Sequence, residues 1–241
     1  QLRRQFMPLR EFEIRPTDKI HPYLFMQTLG RLLSSRIPLV TANGTACVAF
    51  LQALALKKGQ RAFSNSGCAS MGYGLPAAIG ACLANDKRPT VCLEGDGSIM
   101  MNLQELQTVK TNKIPLKIFV IKNGGYISII QTQRNFFNGH LTGCNAISGV
   151  EVPDFVKIAK AFGLPTMRIS RNKDLAKGIK KVFSTDGPVL CELDCTSNYT
   201  FAPKLSARKL PDGTLISPSL EDMFPFLDRE EFEKAKYFTG K

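Results

Sequence analysis

Thr90-Val91-Cys92-Leu93-Glu94-Gly95-Asp96-Gly97-Ser98 and Leu116-Lys117-Ile118-Phe119-Val120-Ile121-Lys122-Asn123-Gly124-Gly125-Tyr126 decide the fold. Each begins as a β-prone run and stops at glycine. The second run, Leu116 to Ile121, is nearly continuous in apolar residues, as a strand buried on both faces must be. Between them, Met100 to Val109 reads as a helix. Outward from this core the alternation continues. Downstream, residues 153–162 and 173–183 read as helices and 165–169 and 188–193 as strands. Upstream, Leu24, Phe25, Thr28, Leu29, Leu32 and Leu33 recur at helical spacing. Ile37 to Val40 is a short apolar run broken by Ala42-Asn43-Gly44. Residues 45–56 are helical, and Pro76 suits the first turn of a helix through Ala77 to Ala84, where its missing N–H is no loss. Strands alternating with helices predict an α/β fold, a doubly wound, mostly parallel sheet with helices on both faces. The expected organisation is a linker or the tail of a preceding element over 1–18, one domain over 19–195, and an irregular extended tail over 196–241. That tail closes in a short acidic helix near Leu227 to Lys236.

Composition narrows the function classes. At 241 residues, 44% hydrophobic and 22% charged, the chain carries enough apolar material for a proper core, which excludes wholesale disorder, collagen and coiled coil. No apolar run approaches membrane-spanning length, and no secretory signal is read. The chain starts at Gln1 with its first Met at Met7, so the expectation is a processed or excised piece of something longer. Seven cysteines at irregular spacing, without a CxxC and with only His21 and His140 beside them, argue against a disulfide framework or a zinc site. They read as small core residues in a reducing, cytoplasmic compartment. The net charge of +12 raises a polyanion-binding reading. Its bases are scattered, though, without a stripe or interleaved aromatics, so nucleic acid is not an expected partner and a solvated surface, or one facing an acidic partner, is.

The chemistry is expected at two strand ends. Asp96 stands directly after a buried strand, between two glycines that let a ligand approach the backbone. The helix that follows offers free N–H groups to an anion. A carboxylate there can also hold a divalent cation that bridges phosphates. A plain turn with Asp96 as a helix N-cap is the competing reading of this motif alone. At the second strand end, the Asn123 amide oxygen and a glycine carbonyl are hard ligands suited to Mg²⁺. An ordinary Asn-Gly turn is the competing reading there. Asp96 and Asn123 are 27 residues apart, room for one helix and one strand. The two ends can therefore lie side by side at the carboxyl edge of the sheet, where open α/β folds bind ligands.

This pair of motifs resembles that of thiamine-diphosphate-dependent enzymes. The resemblance implies a thiamine-diphosphate-binding fold with thiamine diphosphate and Mg²⁺ as cofactors. The metal ligands it implies are Asp96, Asn123 and the Gly125 carbonyl. The family usually has two consecutive Asn where this chain has Lys122-Asn123. Upstream, Gly67-Cys68-Ala69-Ser70-Met71-Gly72-Tyr73-Gly74-Leu75-Pro76 resembles the segment that cradles the aminopyrimidine ring. Met71 would support the bent cofactor and the Ala69 carbonyl would accept from the 4′-amino group; the family often has Gly at position 69. Asn43-Gly44-Thr45-Ala46 resembles the strand end that touches the diphosphate. Residues implied to contact the cofactor are Gly44, Thr45, Ala69, Ser70, Met71, Gly95, Asp96, Gly97, Ser98, Asn123, Gly125, Tyr126 and Ile127.

Acetolactate-synthase-like and pyruvate-decarboxylase-like members resemble the chain best, and Met71-Gly72-Tyr73-Gly74-Leu75-Pro76 favours the former. In these members the diphosphate domain is the last of three, so a C-terminal fragment or one half of a split enzyme is expected. The family's proton-relay Glu comes from the pyrimidine-binding domain of a neighbouring subunit. Glu94 and Glu105 lie on the wrong elements to replace it, so no catalytic residue is expected within this chain, and the chain alone is expected to be inactive. The implied partners are a 2-keto acid, a pyrimidine-binding domain from a missing segment or second chain, and a further copy in a dimer or tetramer. The expected function is the Mg²⁺- and diphosphate-binding domain of a 2-keto acid decarboxylase or carboligase. A 2-hydroxyacyl-CoA lyase or simple non-oxidative decarboxylase is the alternative within the family. A non-catalytic binding module, or a basic polyanion binder, is the alternative outside it.

Overall fold

The computed structural model describes residues 12–210 and 212–236, and the chain divides into two units after Tyr199. Part of the expected linker (1–11) and the last residues of the expected tail (237–241) lie outside the described residues.

The first unit is built on six parallel strands: β1 (Leu39–Thr41), β2 (Ala62–Ser64), β3 (Thr90–Gly95), β4 (Leu116–Lys122), β5 (Thr166–Ile169) and β6 (Val189–Asp194). Their order across the sheet is β2-β1-β3-β4-β6-β5. Successive side chains on a strand point to opposite faces. Val91, Leu93, Phe119, Ile121, Cys191 and Leu193 accordingly enter one core, shared with Phe25 and Leu29 of α1 (Pro22–Leu32), Ala46 and Phe50 of α2 (Gly44–Ala53) and Ile179 of α8 (Leu175–Ser184). Cys92, Ile118, Val120 and Leu190 enter the other. That core is shared with Leu75 and Ile79 of α3 (Gly74–Ala84), Leu106 and Val109 of α5 (Glu105–Thr111) and Phe155 and Ala159 of α7 (Phe155–Ala161). Phe119 is fully buried and packs against Phe25 at a tilt of 52°, with ring centroids 5.3 Å apart. Emptying that position would cost about 3–5 kcal/mol.

The sheet is doubly wound: β1 continues outward to β2, then the chain returns to lay β3 on the other side of β1. The carboxyl ends of β1 and β3 therefore flank a topological switch point, where no crossover covers the crevice. The β1 end runs into Asn43 and Gly44, and the β3 end into Asp96.

Three elements differ from the expected pattern. The stretch expected as one helix over Met100 to Val109 is a 3₁₀ turn at Met100–Asn102 followed by α5, and the single turn α4 (Asp96–Ile99) precedes it. Asn102 sits at the break, and its side-chain amide donates to the Gly72 carbonyl at 2.8 Å. A polar side chain that bonds the backbone elsewhere competes with helix continuation. β2 and α6 (Ile127–Phe136) add to the elements read from periodicity. β2 is a three-residue edge strand with no fully buried residue. α6 is mostly polar, so its apolar period is weak.

In the second unit, β7 (Arg208–Lys209) and β8 (Leu215–Ile216) form a small antiparallel pair, and α9 (Arg229–Lys236) follows. Arg229 grips Asp222 with two hydrogen bonds, of 2.8 and 3.1 Å. Among the described residues no helix is long and apolar enough to cross a membrane.

Candidate functional site

Asp96 is the centre of the carboxyl edge. It is buried, 2% exposed, and organised entirely by backbone. Its Oδ2 accepts from the N–H groups of Asn123 at 3.0 Å, Gly124 at 2.9 Å and Gly125 at 3.3 Å. Its Oδ1 accepts from the N–H of Gly97 at 2.8 Å. Burial pushes the Asp96 carboxyl above its ordinary value, against the pull of these N–H groups. A nearby cation would reverse the shift. The loop after β4 thus wraps the carboxylate at the end of β3, and the two sequence motifs form one structure.

The glycines are required by this wrapping. Gly125 has φ +133°, and a Cβ there would lie 2.2 Å from the Cys144 carbonyl oxygen. The N–H of the next residue, Tyr126, donates to that same oxygen at 2.8 Å. A Cβ on Gly97 would lie 2.2 Å from the Tyr126 ring, so Gly97 and Tyr126 interlock.

Asn123 completes the pair. Its Nδ2 donates to Thr45 Oγ1 and to the Tyr199 hydroxyl, both at 3.1 Å, and these two oxygens are 2.6 Å apart. Its Oδ1 is buried without a partner among the described residues. Buried polar atoms are normally satisfied, so an orphan of this kind calls for an explanation such as an absent ion. A carboxylate, an amide oxygen and a neighbouring carbonyl are the hard donors Mg²⁺ prefers. Among the described residues no group of three or more His, Cys, Asp or Glu could hold a metal ion.

The anion side is provided by helix starts. α2 begins at Gly44, where φ is +56° and a Cβ would meet nothing within 4 Å. Its N-cap, Asn43, makes no side-chain capping bond, and the N-cap of α6, Tyr126, makes none either. α1 and α7 are capped by His21 and Asp154, whereas α3 and α8 also lack a side-chain cap, so it is Gly44 and the Asp96–Asn123 pair that single out the α2 and α6 starts. Uncapped first-turn N–H groups at the carboxyl edge are free to bind a diphosphate.

The loop 65–73 overhangs this edge. The Asn43 side-chain amide donates to the Ala69 carbonyl at 2.9 Å, and the Gly72 N–H donates to Ser98 Oγ at 3.0 Å. Ala69 has φ +51°, a left-handed conformation in which Gly is least strained. Its carbonyl already carries one hydrogen bond and keeps one lone pair for another donor. Met71 is 43% exposed on this loop and Ser70 is also exposed, whereas Thr45, Ser98 and Ile127 are buried below.

The edge therefore joins Asp96, Gly97, Asn123, Gly125 and Tyr126 directly. Thr45 is joined to them through Asn123, and Ala69 to Met71 through the tethers at Asn43 and Ser98. Tyr199 was not read as a site residue. It lies beyond the last strand of the six-stranded sheet, where hydrophobic periodicity stops, and its only signal is a lone Tyr in a polar stretch. Burial pushes its phenol far above the ordinary value, so it remains a protonated hydroxyl.

Comparison with known proteins agrees with this geometry. The family described as thiamine pyrophosphate enzyme, C-terminal TPP binding domain, matches residues 42–193, from the end of β1 to the end of β6. Thiamine pyrophosphate is another name for thiamine diphosphate. An acetolactate synthase large subunit from Cyanidium caldarium is 40% identical over 146 residues, covering 61% of this chain and 25% of that protein. Acetolactate synthase 1 of Zea mays is 32% identical over 191 residues, 76% of this chain and 30% of the relative. The large subunit from Porphyra purpurea is 31% identical over 224 residues, 86% of this chain and 38% of the relative. The chain thus spans between a quarter and two fifths of the length of these relatives. With the matched segment framing the β1, β3 and β4 ends, the chain belongs to the thiamine pyrophosphate enzymes and carries their C-terminal TPP-binding domain.

Proposed function

We propose that this chain is the diphosphate- and Mg²⁺-holding part of an acetolactate-synthase-like 2-keto acid decarboxylase or carboligase. The observation that carries the reading is the buried, unpartnered Asn123 Oδ1 beside the Asp96 carboxylate. Asp96, Asn123 Oδ1 and the Gly125 carbonyl would hold the cation. The uncapped starts of α2 and α6 would receive the diphosphate oxygens, with Gly44 leaving the approach open. Met71, projecting from its tethered loop, would support the thiazolium end, and the Ala69 carbonyl would accept a hydrogen bond from the ring amine. Thiamine diphosphate, when bound, supplies a carbanion at C2 and an electron sink for decarboxylation.

In this reading the described residues of the chain bind and orient, and the proton relay is completed by a group from elsewhere. Glu94, the buried acid nearest the site in sequence, spends one oxygen on the Leu75 N–H at the start of α3, inside the second core. The reading therefore includes a pyrimidine-binding domain supplied by a further segment or chain, a 2-keto acid substrate, and assembly with another copy. A reducing, cytoplasm-like compartment is supported by seven free cysteines, of which only Cys68 is exposed.

The experiment is calorimetric titration of the purified chain with thiamine diphosphate, with and without Mg²⁺. Binding should require the cation and be lost in Asp96→Asn, which keeps the fold. Cation-independent binding, or full binding by Asp96→Asn, overturns the reading. The chain alone should release no CO₂ from pyruvate or a panel of 2-keto acids, because losing an acid/base partner typically costs about 10²–10⁴-fold. Turnover near that of intact relatives would place a relay acid within these residues.

A further inference from the structure

We infer that Tyr199, together with Thr45, is a positioning residue that fixes the Asn123 amide so that its oxygen, rather than its nitrogen, faces the cation. The inference rests on the reading of Asp96 and Asn123 as metal ligands. An Asn side chain is nearly symmetric, and rotation by half a turn exchanges an acceptor for two donors. What decides between the two orientations is the set of atoms around it.

Here that set is two hydroxyls. The Asn123 Nδ2 hydrogens meet Thr45 Oγ1 and the Tyr199 hydroxyl, both at 3.1 Å. The hydroxyls are bonded to each other at 2.6 Å, so one of their two hydrogens is spent within the pair. A half-turn of the amide would set its oxygen against two hydroxyl oxygens with at most one hydrogen to share. It would also bury both N–H groups where Oδ1 now lies unpartnered. Buried donors without acceptors are strongly disfavoured, so the pair of hydroxyls selects one orientation.

Tyr199 is itself held in place from several sides. Gln131 Nε2 of α6 donates to its carbonyl at 3.1 Å, and its ring lies 5.7 Å from the His21 ring and 6.4 Å from the Tyr23 ring. Thr45 is the second residue of α2. The amide orientation is thus set jointly by α1, α2, α6 and the segment after β6. Both orienting groups are neutral, so the charge that attracts the cation remains that of Asp96 alone.

The test uses the purified chain with Mg²⁺, Ca²⁺ or Mn²⁺ as probe and thiamine diphosphate as titrant. Tyr199→Phe should weaken Mg²⁺-dependent binding about tenfold, the low end for residues that orient a metal ligand. Ca²⁺-dependent binding should weaken less, because Ca²⁺ tolerates irregular coordination and Mg²⁺ does not. The Mn²⁺ paramagnetic resonance spectrum of the bound complex should change. In an Asn123→Ala background, Tyr199→Phe should add no further loss of affinity, since its effect passes through that amide. Thr45→Val should repeat the pattern and provides a second route if Tyr199→Phe folds poorly. Equal affinity in Tyr199→Phe and the parent, an equal loss with Mg²⁺ and Ca²⁺, or additive loss in the double variant overturns the positioning role. Loss in Asp96→Asn without loss in Tyr199→Phe overturns this inference and leaves the metal site standing. A parent chain that binds no Mg²⁺–thiamine diphosphate overturns both.

Discussion

Glu94 and Glu192 occupy one row of the sheet, each paired in register with Val120 of β4, from opposite sides. Both side chains fall on the same face, both are at most 2% exposed, and both accept from a first-turn N–H of a helix. Glu94 takes the Leu75 N–H of α3 at 2.8 Å and Glu192 the Phe155 N–H of α7 at 2.9 Å. Their remaining partners differ. Arg168 Nε donates to Glu192 at 2.7 Å and also pairs with Asp154, the cap of α7, at 2.8 Å; Lys122 Nζ lies 3.8 Å from Glu192. Glu94 has one oxygen without a partner and, among the described residues, no ion pair. Burial pushes its carboxyl up to about 7. Position and burial alone therefore do not fix what a buried carboxyl does: neighbouring cations make one an anchor, and their absence makes the other titrate near neutrality.

The largest expected effect breaks the anchored side. Glu192→Ala leaves the buried Phe155 N–H without its acceptor and opens a void on the core face, while the exposed Arg168 keeps Asp154. It should cost about 3 kcal/mol in urea unfolding. A loss below about 1 kcal/mol would mean that the cations do not distinguish the two glutamates.

The next effect separates them by pH. The folded pKa of Glu94 lies above its unfolded value, so its contribution is fully present below about pH 4.5 and lost as pH rises through 7. In the metal-free chain this amounts to about 3 kcal/mol between the two. Glu94→Gln, whose amide oxygen can still accept from Leu75, should flatten that slope, and urea midpoints across the range would check it.

A steric change sharpens the comparison further. A Cβ on Gly74 would lie 2.3 Å from Glu94 Oε1 and 3.0 Å from the Ala42 Cβ. Gly74→Ala should therefore cost about 1–3 kcal/mol and shift the Glu94 titration, visible in the same pH series. The smallest effect belongs to Lys122, whose side chain is 27% exposed at the 3.8 Å contact. Lys122→Met should lower stability by less than about 1 kcal/mol and leave cofactor binding within error.

The sheet and the site were unequally legible in the sequence. β3 and β4 are buried on both faces, so their apolar runs and glycine stops stand out, and the motifs Gly95-Asp96-Gly97 and Asn123-Gly124-Gly125, taken together at their 27-residue spacing, mark the edge. α6 was silent because Gln131, Gln133 and Arg134 dilute its apolar period. Tyr199 was silent for another reason: its role depends on a fold that brings it 76 residues back to Asn123, and no local pattern encodes that. Glu192, Arg168 and Asp154 come from three separate elements, and charged residues in a sequence do not announce their partners. Ala69 lies between the two cases. Its motif was readable, but its left-handed backbone, the physical reason for a Gly preference, appears only in three dimensions.

The pairing of β1 with β3 sets Leu39 opposite Val91 across a crossover that contains α2, β2 and α3. Every pairing in the six-stranded sheet is parallel, so none can form by a simple hairpin and each must wait for a loop to close. Non-local pairing of this kind makes folding slow relative to helix formation. The recess between Gly44 and Asp96 exists only once β1 and β3 are joined, whereas the helices can form earlier. In a refolding experiment, helical ellipticity should therefore recover before the capacity to take up a diphosphate, which makes ligand uptake a clock for closure of the central crossover.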